Sequence, residues 1–547
     1  MSGKERKLLS GDEAVALAAR DAGVALGTGY PGTPSTEILE EFSKLGGKAQ
    51  WAPNEKVALE VGLGAAYGGA RAIVTMKHVG LNVAADPLFT AAYTGVTGGL
   101  IVVSADDPGM ASSQNEQDNR HYAVAAGLPM LEPSDSQEAY DFTHLAYELS
   151  ERFHIPVLLR MTTRVCHAKT IVNPAGTEAG ATRPAAKFQR DIKSRVMIPA
   201  YARPAHRRLR EKLAQLAQWN ETSGPTIVHK NDGALGLITS GISYMHAREA
   251  APQASVLKLG MTYPLPIEAI RKFASSVKRC VVIEEGDPYL ADAIRAAGIA
   301  VEAKAEMYRF NELDVARVRR ILAGDTTPEA APPKGKPPQL CMGCPHRVVF
   351  EEFKRQECIV AGDIGCYTLG VLPPFEAMDT CVCMGASITV GLGMRHVLPP
   401  EQAKKVVSVI GDSTFVHSGL TGLAEMIYNP PPTGHVVVIV DNGTTAMTGQ
   451  QEHPGTGRRL DHSATNKLSF EGFAKGLGIE FVEVVNPNEA GAFTKTLTEA
   501  LNSGQCCVII TRQPCILAGG KIREYDKTNA QQKQKNDECG MMNEECG

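Results

Sequence analysis

Apolar and polar positions alternate along the chain in a strand–helix rhythm over its first 165 residues. Ser10 stands before an amphipathic stretch that ends at Gly23, where a helix is expected. The apolar run 24–26 leads into the loop Tyr30-Pro31-Gly32-Thr33-Pro34-Ser35-Thr36. A helical period covers 55–69, followed by a strand at 72–76, a helix at 81–94, a strand at 100–104, a long helix over 134–152 and a strand at 157–159. Such alternation predicts a parallel, doubly wound sheet.

Residues 166–232 break the rhythm. They are rich in Pro and basic residues and read as an extended connection with one helix at 207–218. A second, smaller α/β pattern occupies 233–325, with strands at 235–239, 255–259 and 279–284 and helices near 242–250, 266–275 and 288–297. Five prolines in the eleven residues 328–338 predict a stiff linker, placed at 326–338. A third α/β unit fills 339–518, with strands near 406–410, 435–440 and 507–511. The polar tail 519–547 predicts a disordered segment. The expected fold class is therefore α/β, with three doubly wound, mostly parallel sheets.

Composition narrows the function. Net charge is −4, which gives no electrostatic footprint for nucleic acid or an anionic membrane. The longest apolar run, 381–394, is too short to cross a bilayer, and the N-terminus has acidic residues where a secretory signal needs its apolar stretch. A cytoplasmic chain is expected. Thirteen cysteines, an odd number, clustered in places, favour metal or redox chemistry over a disulfide framework. Cys381, Cys383, Cys506 and Cys507 lie in apolar runs and read as inert core residues.

Two strand ends carry the sharpest chemical pattern. Gly411-Asp412-Ser413 closes one apolar strand and opens a helix expected from His417 onward; thirty residues after Asp412, Asn442 closes the next strand, followed by Gly443 and Thr444. A Mg²⁺ ion takes oxygen ligands and is commonly held by one carboxylate together with phosphate oxygens. Asp412, the Asn442 side-chain carbonyl and the Thr444 backbone carbonyl supply such a set, and the helix start adds N–H groups for phosphates. The same tripeptides are also ordinary turn sequences. Glu55 opens a helix, where first-turn electrostatics alone also favour a carboxylate.

The motifs Tyr30–Glu37, Asn54–Ala58, Met76–Asn82, Ser104–Met110, Ser112–Asp118, Gly362–Cys366 and Thr445–Gly449 resemble the indolepyruvate:ferredoxin oxidoreductase alpha subunit, of the 2-oxoacid:ferredoxin oxidoreductase superfamily. The resemblance runs from about residue 8 to 515. It implies a thiamine diphosphate cofactor with Mg²⁺, a pyrimidine-binding domain at 1–165, a transketolase C-terminal-like domain at 233–325 and a pyrophosphate-binding domain at 339–518. Glu55 takes the place of the cofactor-activating glutamate, and Gly80-Leu81 fall at the family's offset from it. Thr33 takes the place of a threonine that contacts the 2-oxoacid. His78, with Lys77, stands as a further site group, although a lone His after a strand is as often structural. Gly411, Asp412, Ser413, Asn442, Thr444, Met447 and Thr448 stand as cofactor contacts. Asp106 replaces a substrate-binding arginine of related enzymes, consistent with a bulkier, aromatic substrate.

The resemblance also implies one [4Fe–4S] cluster held by Cys341, Cys344, Cys366 and Cys515. Read from the residues alone, Cys341-Met342-Gly343-Cys344 is equally a thiol redox pair or half of a zinc site. Family members end in a two-cluster ferredoxin-like segment; here only Cys539 and Cys546 stand in the tail, so a truncated or vestigial region is expected and the electron acceptor is open. The implied reaction is oxidative decarboxylation of an aryl 2-oxoacid with coenzyme A, electrons passing to ferredoxin or another low-potential carrier. A smaller beta subunit and a dimer of such pairs are the implied partners. A non-oxidative thiamine decarboxylase and a non-catalytic scaffold subunit are the rival readings.

Overall fold

The computed structural model describes residues 6–175, 186–330, 335 and 337–544, with side chains of the last helix described to residue 531. Two compact units divide the chain, Met1–Pro332 and Pro333–Gly547.

The first unit holds three sheets, a small antiparallel pair of Lys7–Ser10 with Lys169–Val172 and two larger ones. The larger has seven strands in the order Met261–Tyr263, Met130–Leu131, Val157–Thr162, Leu100–Asp106, Ala72–Lys77, Leu26–Gly29 and Ala49–Trp51. All its pairings are parallel except that of Met261–Tyr263. Every residue of the three central strands is buried, as expected where helices cover both faces. Local chemistry sets the helix starts. Ser10 and Glu13 form a reciprocal capping box, Asn54 accepts from Val57 N at 2.9 Å, and Asp135 accepts from Glu138 N at 2.9 Å.

The smaller sheet runs Arg279–Ile283, Leu235–Ser240, Ser255–Leu259 and Thr226–His229, the last strand antiparallel. From Ser255–Leu259 the chain passes through Gly260 directly into Met261–Tyr263, an edge strand of the larger sheet. A Cβ at Gly260 would lie 2.5 Å from Pro225 O and 2.7 Å from Phe142 Cζ, so only glycine fits the crossing.

A buried charge set joins the same two sheets. Arg160 pairs with Asp106 at 2.7 Å and Glu132 at 3.2 Å, while Arg120 pairs with Asp118 and, at 2.7 Å, with Glu284. Ser240 and Thr262 donate to Glu132 at 2.9 and 2.8 Å. Burial lifts the Asp106 carboxyl although Arg160 opposes it; Asp118, equally buried, is held well below the usual range by both arginines. Asp106 is thus engaged in a structural ion pair.

The second unit is built on a six-stranded, wholly parallel sheet in the order Thr380–Cys381, Ile359–Gly362, Val406–Gly411, His435–Asp441, Cys506–Arg512 and Phe481–Val485. Val349, Phe350, Phe353 and Phe493 pack on one face, and Ile388, Phe415, Leu423 and Phe470 on the other.

Several expectations change. The helix expected over 81–94 is two, His78–Val83 and Ala85–Thr94. The connection carries a helix of 25 residues, Pro199–Ser223, whose Leu209, Leu213 and Leu216 are buried. The helix expected from His417 begins at Asp412 and passes through a π-helical turn, Phe415–Gly419. The tail is helical over Gly519–Glu544, held by Asp526 on Arg458 at 2.9 Å and by Tyr525 stacked on His462 at 4.2 Å. Such tertiary contacts offset the low apolar content that suggested disorder. Among the described residues no helix is long and apolar enough to cross a membrane.

Candidate functional site

Both large sheets present their expected site residues just beyond strand carboxyl ends, where doubly wound folds bind ligands. In the first unit, Thr33 follows Leu26–Gly29, Glu55 follows Ala49–Trp51, and His78 follows Ala72–Lys77, three adjacent strands. Glu55 is buried and packs directly on Gly80, where a Cβ would stand 2.5 Å from Glu55 Cγ and 2.7 Å from Oε1. Gly32 lies against Lys77, its Cβ position 3.1 Å from Lys77 Cβ. Thr33 is half-buried at the turn.

His78 is fully buried, and its Nε2 lies 3.0 Å from Asn115 O. Lys77 Nζ donates to Ser112 O; burial pulls its ammonium below the usual range while Asp107 pulls it back up. Lys77 and His78 therefore anchor the 112–115 loop beside the strand end.

In the second unit the strand ends supply a denser set. Asp412 is buried at the helix start, its Oδ1 accepting from Ser413 N at 2.9 Å and its Oδ2 from Gly443 N at 2.8 Å. Burial opposes its charge, but His453 beside it and these N–H groups hold it below the usual carboxylate range. His453 Nε2 stands 3.3 Å from Asp412 Oδ2, and His453 Nδ1 accepts from Gly455 N at 3.2 Å. That acceptance assigns the proton of a neutral ring to Nε2, facing the carboxylate.

Asn442 Oδ1 accepts from Thr444 N at 3.1 Å, and its Nδ2 lies 3.3 Å from His346 Nε2. Burial holds His346 down at about 4, so the ring is neutral at neutral pH. Ser413 accepts from Thr445 Oγ1 at 2.8 Å; Thr448 donates to Gln451 Oε1 at 2.6 Å; Met447, beside it on the turn, is 52% exposed. Asp412, Ser413, Asn442 and Thr444 thus meet in one linked loop pair. An anionic oxygen at a helix start and an amide carbonyl suit a divalent cation, and a helix start beside them suits a pyrophosphate.

One cavity gathers the four expected cluster cysteines. Cys341, Cys344, Cys366 and Cys515 line it together with His346, Asn442 and flanking apolar side chains. Three local devices place the four. Gly343, at φ 77°, turns the chain between Cys341 and Cys344, and Cys344 N donates to Cys341 O at 3.0 Å. Cys366 opens a 3₁₀ helix past Ile359–Gly362, with Asp363 anchored by Gly385 N and Ser387 N. Cys515 N donates to Asn442 O at 2.9 Å, which seats the fourth cysteine on the pyrophosphate loop itself.

Burial pushes the Cys366 thiol up to about 11 and raises Cys344, with the neighbouring thiols adding to both. Deprotonating them needs nearby positive charge, which a bound metal provides. A tetrahedral zinc site would bring its sulfurs within about 3.8 Å of one another, given Zn–S near 2.3 Å. Among the described residues, no three cysteines have sulfurs within 4.8 Å of one another. Four thiols on one cavity wall match in number the donor set that a four-thiolate cluster takes.

Cys381 and Cys383 correct their expected place in the core. Both are exposed, at and just beyond the edge strand Thr380–Cys381, since an apolar sequence at a sheet edge has no neighbour on one side. Cys507 is buried as expected and Cys506 is half-buried. The side chains of Cys539 and Cys546 lie outside the described residues. His346 and His453 were not anticipated as site groups. Cys-Pro-His marks the first, but only the fold brings His453 to Asp412.

Comparison with known proteins accords with this geometry. Residues 17–221 match the family model of the pyruvate flavodoxin/ferredoxin oxidoreductase thiamine diphosphate-binding region, and residues 363–511 that of the thiamine pyrophosphate enzyme C-terminal TPP-binding domain. Indolepyruvate oxidoreductase subunit IorA of Archaeoglobus fulgidus is 41% identical over 95% of this chain and 88% of its own length. The subunit of that name from Methanothermobacter thermautotrophicus is 39% identical over the same shares. A solved 2-oxoglutarate:ferredoxin oxidoreductase from Magnetococcus marinus superposes with TM-score 0.49 at 16% identity, covering 59% of this chain and 66% of that one.

Two thiamine diphosphate-binding regions in one chain, on mostly parallel α/β sheets, define an oxidoreductase of the thiamine-dependent 2-oxoacid class. Within that class the chain belongs to the family of the indolepyruvate oxidoreductase IorA subunits.

Proposed function

We propose that this chain is the thiamine-carrying subunit of an enzyme that oxidatively decarboxylates an aryl 2-oxoacid, indolepyruvate or a relative, in the cytoplasm. With coenzyme A as co-substrate, the products are the aryl-acetyl-CoA, carbon dioxide, a proton and two electrons, the last leaving singly for ferredoxin or another low-potential carrier. Bound thiamine diphosphate supplies the nucleophilic carbon and electron sink for decarboxylation, and a [4Fe–4S] cluster accepts electrons one at a time.

The chain's own residues divide the remaining work. Asp412, Asn442 and the Thr444 carbonyl would hold Mg²⁺, with Gly411 and Ser413 at the phosphate-facing helix start. Glu55 would hold the proton exchanged with the aminopyrimidine ring, Gly80 leaving it room to lie flat. Thr33 would contact the 2-oxoacid, and His78 would act by holding the 112–115 loop. Met447 and Thr448 would border the cofactor from their turn. Cys341, Cys344, Cys366 and Cys515 would ligate the cluster. A smaller beta subunit, in a dimer of such pairs, completes the reading.

The observation that carries it is the single cavity lined by those four cysteines and Asn442. A chain doing only non-oxidative decarboxylation has no use for thiolates on the wall of the pyrophosphate loop.

The test is anaerobic purification with iron and acid-labile sulfide counted and the visible spectrum recorded, Cys344→Ala serving as control. About four irons per chain, a broad visible band and bleaching on adding oxoacid support the reading. A colourless, iron-free protein that still releases carbon dioxide would replace it with a simple decarboxylase. A protein inert toward oxoacids with all its cofactors bound would leave a scaffold.

A further inference from the structure

We infer that Asp12, Glu37 and His167 form a divalent-cation site in the first unit, separate from every residue assigned above. One ligand atom from each lies within 4.8 Å of the other two. The three come from different elements, the helices Gly11–Asp21, Thr36–Lys44 and Thr163–His167. Gly11 brings the first and third together: a Cβ there would lie 2.2 Å from Val165 O.

Asp12 supplies the decisive observation. Its side chain is fully buried, and among the described residues its carboxylate oxygens meet no hydrogen-bond partner stronger than the Cys166 thiol. A buried carboxylate without partners is costly, and natural structures pair such groups with a cation or a donor. Nearby lysine and arginine are committed elsewhere: Lys169 pairs with Glu13 at 3.0 Å, and Arg20 with Asp21 at 2.6 Å. The Cys166 thiol, next to His167, is a weak donor and the one other polar side chain on that helix turned to the buried side. Glu37 and His167 are exposed, so an ion has an open approach to a buried floor.

The chemistry of the donors selects the ion. Two carboxylates and a neutral imidazole carry charge −2 and combine oxygen with nitrogen, a set suited to Zn²⁺ or a similar transition ion rather than Mg²⁺. Glu37 is the second residue of the helix that follows the Thr33 loop. A bound ion would therefore clip that loop's helix to the two others, stiffening it from behind.

The test uses the full chain with its cofactors bound and Mg²⁺ in excess. Wild type, Glu37→Gln, His167→Ala and Asp12→Asn are dialysed to equilibrium against micromolar ZnCl₂, and zinc per chain is counted by elemental analysis. Free thiols take the same zinc in all four proteins and cancel in the difference. The expected result is one more zinc per chain in wild type than in each variant, with a zinc-dependent rise in unfolding midpoint that the variants lack. Glu37 and His167 are exposed, so their variants fold even if Asp12→Asn does not. Equal zinc in wild type and in those two variants overturns the site.

Discussion

Gly80 lies directly against Glu55, the missing methyl falling 2.5 Å from the glutamate's Cγ. In an isolated helix, replacing glycine by alanine stabilises by about 1 kcal/mol. Gly80→Ala should instead displace Glu55 and lower kcat by about 10- to 100-fold, and Glu55→Gln should cost about 10²- to 10⁴-fold, as loss of a proton-transfer group does. Viologen reduction by the anaerobic enzyme reads both. Full activity in Gly80→Ala would separate Glu55 from the chemistry.

Asp412 and His453 make a second pair, 3.3 Å apart and both buried. Loss of a partner that orients a metal ligand typically costs about 10- to 100-fold in affinity. His453→Ala should weaken Mg²⁺–thiamine diphosphate binding by that factor, and Asp412→Asn by more. Titration calorimetry checks this, with the iron count as an internal control that should stay constant.

Arg120 is almost wholly buried between Asp118 and Glu284. Arg120→Met would leave Glu284 without its paired guanidinium and Asp118 with Arg160 alone at 3.6 Å, and breaking a buried pair in this way costs about 3–5 kcal/mol. A fall of several degrees in unfolding midpoint should follow in calorimetry.

Glu285 gives a pH dependence with a definite sign. Burial lifts its carboxyl to about 7, although Leu313 N donates to it at 2.9 Å. Between its unfolded value near 4.5 and about 7, the folded protein keeps a proton that the unfolded chain releases. This group's contribution therefore declines as pH rises through that window, by at most about 3 kcal/mol. Glu285→Gln should flatten the slope and raise the unfolding midpoint at pH above about 7.

Among the described cysteines, the exposed Cys381 and Cys383 should be the thiols that iodoacetamide labels first in the loaded protein. Burial of part of its surface, and then Asp363, push Cys381 up to about 11, and the same causes raise Cys383. Labelling should accelerate about tenfold per pH unit below that value, since the thiolate is the nucleophile. Cys381→Ser with Cys383→Ser should leave the iron content unchanged, as measured colorimetrically.

Much of this was legible in the residues. Asp412 and Asn442 each end a continuous apolar strand, so their position above a parallel sheet follows from local pattern. Glu55 is legible from its local pattern only as a helix start; that it rests on Gly80 depends on Ala49–Trp51 and Ala72–Lys77 flanking Leu26–Gly29 in one sheet. His453 lies in a loop without periodicity, and nothing local aims it at Asp412. The exposure of Cys381 and Cys383 is not legible, because an apolar run has the same composition at a sheet edge as at its centre. The tail helix is not legible either, because its support, Arg458 and His462, lies about sixty residues upstream.

The strand exchange at Gly260 carries a consequence for how this protein can change. The smaller sheet donates Met261–Tyr263 to the larger, and the larger lends Arg120 to Glu284 in return. A recombination that kept one sheet and replaced the other would strip an edge strand and leave ionised groups buried without counter-charge. The two sheets are therefore inherited as a single block, and their substitutions must be selected together.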